Sequence, residues 1–211
     1  MNIWNIIFHE LAGINVIYLY SNTLLKRVLA PGSFFTPRTG TYIISIVNLG
    51  SYIMATWTVS SFGRRPLLFW GHVGISIAHA LIGVFILTGF DIGIVIMMCV
   101  FIWMYANTTG PIAWVYLAET CTDIGLGVGL LTLWAVVLIE VLFVPTLMNS
   151  SIETSGVFFL FAAFSAVAAV FIYVFLKETR GLSDKEKRTL YSTSQTVKLS
   201  PTLQLSDQYT I

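Results

Sequence analysis

The sequence predicts an all-α, polytopic membrane protein with six transmembrane helices. Two long stretches, residues 42–63 and 66–90, contain no Asp, Glu, Lys or Arg. Each is long enough for a helix to cross a hydrocarbon core, which takes about 20 predominantly apolar residues. The chain as a whole is 56% hydrophobic and only 10% charged, with a mean hydropathy of +0.83, a composition that excludes a soluble domain with a charged surface. Barrel strands of about ten residues would alternate in polarity, and nothing in this chain alternates in that way.

Taken in order, the apolar segments fall near residues 3–25, 39–60, 66–88, 92–118, 127–148 and 155–176. The first lacks a basic leader and a small-residue cleavage site, so it reads as a retained helix rather than a signal peptide. It carries His9, Glu10 and Asn15 around Gly13. An ionised side chain near a helix centre costs roughly 2.5–3.5 kcal/mol on insertion scales, so Glu10 needs a partner or a cavity. On a continuous helix His9 and Asn15 would point well apart, and unwinding at Gly13 and Ile14 is the way to turn them together.

The segment from Lys26 to Arg38, with Pro31, Gly32 and Pro37, reads as the one sizeable external loop. In the second span Asn48, with Ser45 and Ser51, either lines a cavity or bonds between helices. The second and third spans meet at Phe62-Gly63-Arg64-Arg65-Pro66. His72 and His79 share a face of the third span but have no third ligand, so they read as packing residues and no metal is expected. The fourth span is interrupted at Thr108, Thr109, Gly110 and Pro111, followed by Trp114 and Tyr116, with Tyr105 and Asn107 as polar edges. A broken helix next to an aromatic platform suits a polar solute with an apolar ring face. Glu140 is a second intramembrane carboxylate, in the fifth span. Beyond the sixth span, Ser183 and Glu186 have capping-box spacing for a short helix, and the Ser/Thr/Gln-rich stretch to Ile211 reads as a disordered tail. This gives two regions: a bundle over 1–182, and a cytoplasmic helix and tail over 183–211.

Orientation follows from Lys and Arg. One side holds Arg64, Arg65, Lys177, Arg180, Lys185, Lys187, Arg188 and Lys198; the other holds Lys26, Arg27 and Arg38. The richer side is expected to be cytoplasmic, which puts both termini there. A net charge of +1 implies no nucleic-acid partner, and Cys99 and Cys121 form no disulfide or metal pattern.

Four motifs then stand in a familiar order: Leu11-Ala12-Gly13-Ile14-Asn15 with Tyr18-Leu19-Tyr20-Ser21; Gly63-Arg64-Arg65; Gly110-Pro111-Ile112-Ala113-Trp114 with Ala118-Glu119; and Glu178-Thr179-Arg180-Gly181. The chain from His9 to Glu186 resembles the C-terminal half of sugar porters of the major facilitator superfamily. The resemblance implies helices seven to twelve of a twelve-helix bundle, built as two three-helix inverted repeats, with solute held between this half and an N-terminal six-helix half or second bundle. It also implies that His9 and Glu10, where glutamines are usual, and Asn15, Asn48 and Trp114 contact a sugar, and that Arg64, Arg65, Glu119 and Glu178 form a cytoplasmic gate.

The chain departs from the family pattern at several places. Ala106 stands where an acid usually contacts sugar, and Ala113 replaces the second proline of Pro-x-Pro-Trp. Ser60 and Ser61 precede Gly-Arg-Arg in place of an acid and an arginine, Asp123 has no arginine beside it, and Lys177 stands where proline is common. The expected function is transport of a sugar or related polyhydroxylated solute by alternating access, with no enzymatic step and no cofactor. The alternatives are a non-transporting fragment that pairs with another bundle and a carrier of organic ions with Glu10 as counter-charge.

Overall fold

The computed structural model describes residues 2–191, and the described residues form helices joined by short turns, with no strand among them. The tail read as disordered, and Lys198 within it, lie outside the described residues. In chain order the helices are α1 (Asn2–Glu10), α2 (Ile14–Val28), α3 (Pro37–Ser61), α4 (Arg64–Thr88), α5 (Asp91–Asn107), α6 (Thr109–Thr120), α7 (Asp123–Met148), α8 (Glu153–Phe175) and α9 (Asp184–Thr189).

Local chemistry explains the boundaries. Thr36 caps α3 by accepting the Thr39 amide at 3.1 Å, and Pro37 fills the first helical position, where a missing N–H costs nothing. Thr122 caps α7 through the Gly125 amide. Gly89 ends α4 with φ +68°, and Ser183 and Glu186 close a capping box at the start of α9. The loop between α2 and α3 is shorter than the segment from Lys26 to Arg38, because helix continues through Val28 and resumes at Pro37.

Five helical segments are long and apolar enough to cross a membrane: Pro37–Ser61, Arg64–Thr88, Asp91–Thr120, Asp123–Met148 and Glu153–Phe175. The first predicted span does not join them as one helix. It is split into α1 and α2, with Gly13 in the left-handed region at φ +81°. A Cβ at Gly13 would also lie 3.0 Å from the Phe161 ring, so both backbone conformation and close packing require glycine there. The fourth span is likewise broken at Thr108, whose φ of −127° and ψ of −85° lie outside the helical region. Pro111 has no N–H to give to the carbonyl four residues earlier, so α5 cannot run on as a regular helix.

α4 packs most extensively on α8 and then on α5, while α5 also carries α3. The main core is built from Ile14, Ile17, Leu24, Ile75, Ile82, Met98, Phe101, Phe158 and Phe161, and a smaller one joins Leu68, Ile112, Tyr116 and Ile172. The outer faces expose Ile46, Leu49 and Ile53 on α3 and Leu131, Trp134 and Leu138 on α7. Such extensive apolar surface fits lipid and not water.

Cross-links at the helix ends show which ends share a face. At one end Asn2 meets Thr120 and Cys121, Arg64 meets Glu119, and Thr179 and Lys187 meet the same Glu119. At the other, Arg27 donates to Asn149 and Asp91 accepts the Ala30 amide. Residues 2 and 191 therefore lie on one face, as an even number of crossings requires.

Candidate functional site

The two helix breaks bring polar groups from distant parts of the chain to one place. At the first, the chain turns after Glu10, and the Asn15 amide nitrogen donates to Glu10 Oε2 at 2.5 Å. The same nitrogen lies 3.5 Å from Glu140 Oε2 on α7. Glu10 Oε1 faces His9 Nε2 at 3.3 Å, and His9 Nε2 pairs with the Tyr105 hydroxyl on α5 at 2.9 Å. At the second break, α6 carries Trp114 to His9, with their rings 6.2 Å apart and nearly perpendicular.

His9, Glu10, Asn15 and Trp114 thus form one group. Asn48 is not bonded to them. It accepts from the Tyr18 hydroxyl at 2.7 Å, and that hydroxyl lies 3.5 Å from Tyr52. Burial separates the group into two layers. His9 and Glu10 are only 3% and 4% exposed, whereas Trp114, Tyr18 and Tyr52 are exposed and Asn15 and Asn48 are partly so. The outer layer offers two amides, two phenols and an indole face, which suits a neutral solute rich in hydroxyls.

Glu140, Tyr105, Tyr18 and Tyr52 complete this arrangement. Tyr52 lies four residues after Asn48, one turn along the same helix face, which is the signal that could have flagged it. The histidines of α4 have structural surroundings. His79 meets the Ala12 carbonyl at 2.9 Å among Phe101, Phe158 and Phe161, and His72 is fully buried beside the second break.

The charged residues at the end shared by the termini form a second cluster. Glu119 Oε1 pairs with Arg64 and with Lys187, each at 3.2 Å, and its Oε2 accepts from Thr179 at 2.5 Å. Glu178 acts differently. Its carboxylate accepts the backbone amides of Arg64 and Arg65 at 2.9 and 3.1 Å, together with those of Thr179 and Arg180. It caps the positive end of α4 and, among the described residues, makes no ion pair with a guanidinium. The Arg65 side chain turns outward, donating to the Tyr173 carbonyl at 2.6 Å and lying over its ring. Thr179 and Lys187 were not legible as partners because they come from beyond α8, brought back by tertiary folding.

The family described as Sugar (and other) transporter matches residues 1–191. The chain belongs to that family. Among this family member's relatives, the glucose transporter GlcP of Staphylococcus epidermidis is 30% identical over 192 residues, a stretch that is 85% of this chain and 42% of that protein. The D-xylose-proton symporter of Escherichia coli is 26% identical over 196 residues, 88% of this chain and 39% of that one. The chain thus spans about two fifths of the length of the curated relatives it matches. In three dimensions it resembles the inward open conformation of the xylose transporter XylE from E. coli, with a TM-score of 0.77 at 24% identity, covering 90% of this chain and 41% of that one. A double-tryptophan mutant of XylE gives a TM-score of 0.81. The chain shares its fold with the structure described as the major facilitator superfamily proton:xylose symporter XylE, at a TM-score of 0.74.

Proposed function

We propose that this chain is the C-terminal half of a sugar carrier and that it holds one wall of a solute site between itself and an N-terminal six-helix half. The observation that carries the reading is the convergence of two broken helices on one polar patch, at Gly13 and Thr108. Midplane sites between discontinuous helices are how transporters of this architecture bind solute. The order of the Gly-Ile-Asn, Gly-Arg-Arg, Gly-Pro-Ile-Ala-Trp and Glu-Thr-Arg-Gly motifs supports the C-terminal assignment. Asn15, Asn48 and Trp114 contact the sugar, with Trp114 offering its ring face, while His9 and Glu10 support them from below. The relatives named as glucose and xylose transporters support a sugar as the solute.

The end carrying Arg64, Arg65, Glu119 and Glu178 is cytoplasmic in this reading, on the positive-inside rule, and both termini lie there. Residues 1–182 are the bundle, and 183–211 the cytoplasmic helix and tail. The Arg64–Glu119–Lys187 cluster is a gate that biases the inward/outward equilibrium rather than holding the fold together, because such partly exposed pairs are worth roughly 0.2–1 kcal/mol each. The test is uptake of labelled sugar by the chain co-expressed with the N-terminal half of a family member. Saturable, stereospecific uptake that falls with Asn15→Ala or Trp114→Ala is expected. Uptake of organic ions in place of sugar, or a membrane-inserted pair of halves that moves nothing, would overturn the reading.

A further inference from the structure

The Glu10–Asn15–Glu140 group has a chemistry that sugar recognition does not use. Two carboxyl groups from α1 and α7 converge on a single amide nitrogen, at 2.5 and 3.5 Å. Among the described residues, no Lys or Arg pairs with either carboxyl. The titratable groups around them are His9 on α1, Tyr105 on α5, His72 and His79 on α4, Tyr18 and Tyr20 on α2 and Tyr52 on α3, none of which is a fixed cation. Two carboxylates this close, in an interior without a cation, cannot both ionise.

The two groups are not equivalent. Glu10 has a close donor in Asn15 and faces His9, so a negative charge there is partly compensated. Glu140 is 3% exposed, reaches Asn15 only at 3.5 Å, and its Oε1 is buried with no hydrogen-bond partner. A lone oxygen is far less costly on a neutral acid than on a carboxylate. Both carboxyls are buried although the bundle's solute-facing side is uncovered, so neither is open to a bulky cationic solute.

We infer that Glu140 is a proton-binding site inside this half of the bundle, held neutral beside an ionised Glu10 with the Asn15 amide between them. The ligand is a proton. Losing it would set two like charges against each other across the contact between α1 and α7, so occupancy biases how α7 sits against the broken first span. Its link to solute movement rests on the carrier reading. The site itself rests on the geometry.

The experiment is infrared difference spectroscopy of the full chain in lipid at neutral pH. The wild type is expected to show a protonated-carboxyl band that shifts in heavy water. Glu140→Gln should lose that band completely, and Glu10→Gln should keep it. Helix content measured on the same samples confirms that each variant is folded, and the wild-type spectrum alone can overturn the proposal. A wild type with no such band, or a Glu140→Gln variant that retains it in full, sinks the assignment. A band that disappears when sodium chloride replaces choline chloride marks a metal-cation site and overturns it equally. A band that behaves as expected in a chain that moves no sugar with its N-terminal half leaves the proton site standing and removes the carrier reading.

Discussion

At the residue scale, the glycine of Gly63-Arg64-Arg65 is set by a neighbour far along the chain. A Cβ there would come 2.5 Å from Glu178 Oε2, the atom that accepts the Arg65 amide. Gly63→Ala therefore displaces the cap of α4 and should cost about 1–2 kcal/mol, the range for losing a helix cap. Gly127 in α7 has nothing within 4 Å of its Cβ position, so Gly127→Ala should be neutral or slightly stabilising. Thermal unfolding of both variants in the same detergent checks the contrast, and equal shifts would show that the Glu178 contact does not set the glycine. The residue identities were readable from the sequence, but this reason was not: a Gly-Arg-Arg turn shows that basic residues stay on one side, not that a carboxylate from beyond α8 presses on the glycine. In the same way Asn48 and Glu140 were visible as costly polar residues, whereas their partners Tyr18 and Asn15 come from the packing of separate helices.

At the element scale, Glu119 ties three pieces together: the start of α4 through Arg64, the segment after α8 through Thr179, and α9 through Lys187. Glu119→Ala should loosen α9 by up to about 1 kcal/mol, since it removes the partly exposed ion pair to Lys187 that ties Glu119 to α9. Amide exchange over Asp184–Thr189 reads this directly, and unchanged protection would show that α9 is held by other contacts. α9 also has its own pH dependence. Hydrogen bonds from the Ser183 hydroxyl and amide hold the Glu186 carboxyl below the usual carboxylate range. With a folded value depressed below the unfolded one, its contribution is complete above the ordinary carboxylate range and is lost as pH falls through the folded value. Exchange protection of α9, corrected for intrinsic rates, should decline over that acid window, and Glu186→Gln should flatten the decline. The helix breaks at Gly13 and Thr108 and the α9 capping box were legible because each depends on local backbone chemistry. The shorter loop after α2 was not, since Lys26 and Arg27 mark a membrane boundary rather than a helix end.

At the scale of the whole molecule, the six crossings were legible in the spacing of charge, because lipid imposes one rule on every span. Which end faces the cytoplasm rests on the Lys and Arg bias. Cysteines placed singly at Ser61 and at Gly32 should be labelled from opposite sides of the membrane, Gly32 from outside. Labelling of both from one side would contradict the topology. Expressed by itself, the 211-residue chain should insert and yet move no sugar, because alternating access needs two bundles rocking about a shared site. Saturable uptake by a demonstrated monomer would refute this, and activity that appears only with a second half would support it.

The split first span also bears on how the protein is made. α1 and α2 precede the other described helices of this bundle in chain order, and they carry Asn5, His9, Glu10 and Asn15 in two pieces, neither long enough to cross a bilayer alone. The groups that meet His9 and Asn15 from other helices, Tyr105 on α5 and Glu140 on α7, come roughly a hundred residues later in the chain. Within this bundle the split first span is thus the poorest candidate for independent membrane entry, and its stable placement waits for neighbours that follow it in the chain. Translated without any preceding segment, residues 1–36 should stay extractable by alkaline carbonate, whereas residues 1–148 should resist extraction. This bundle closes around its split first span from helices that follow it, so a truncation in α7 removes a partner of Asn15, which lies more than a hundred residues upstream.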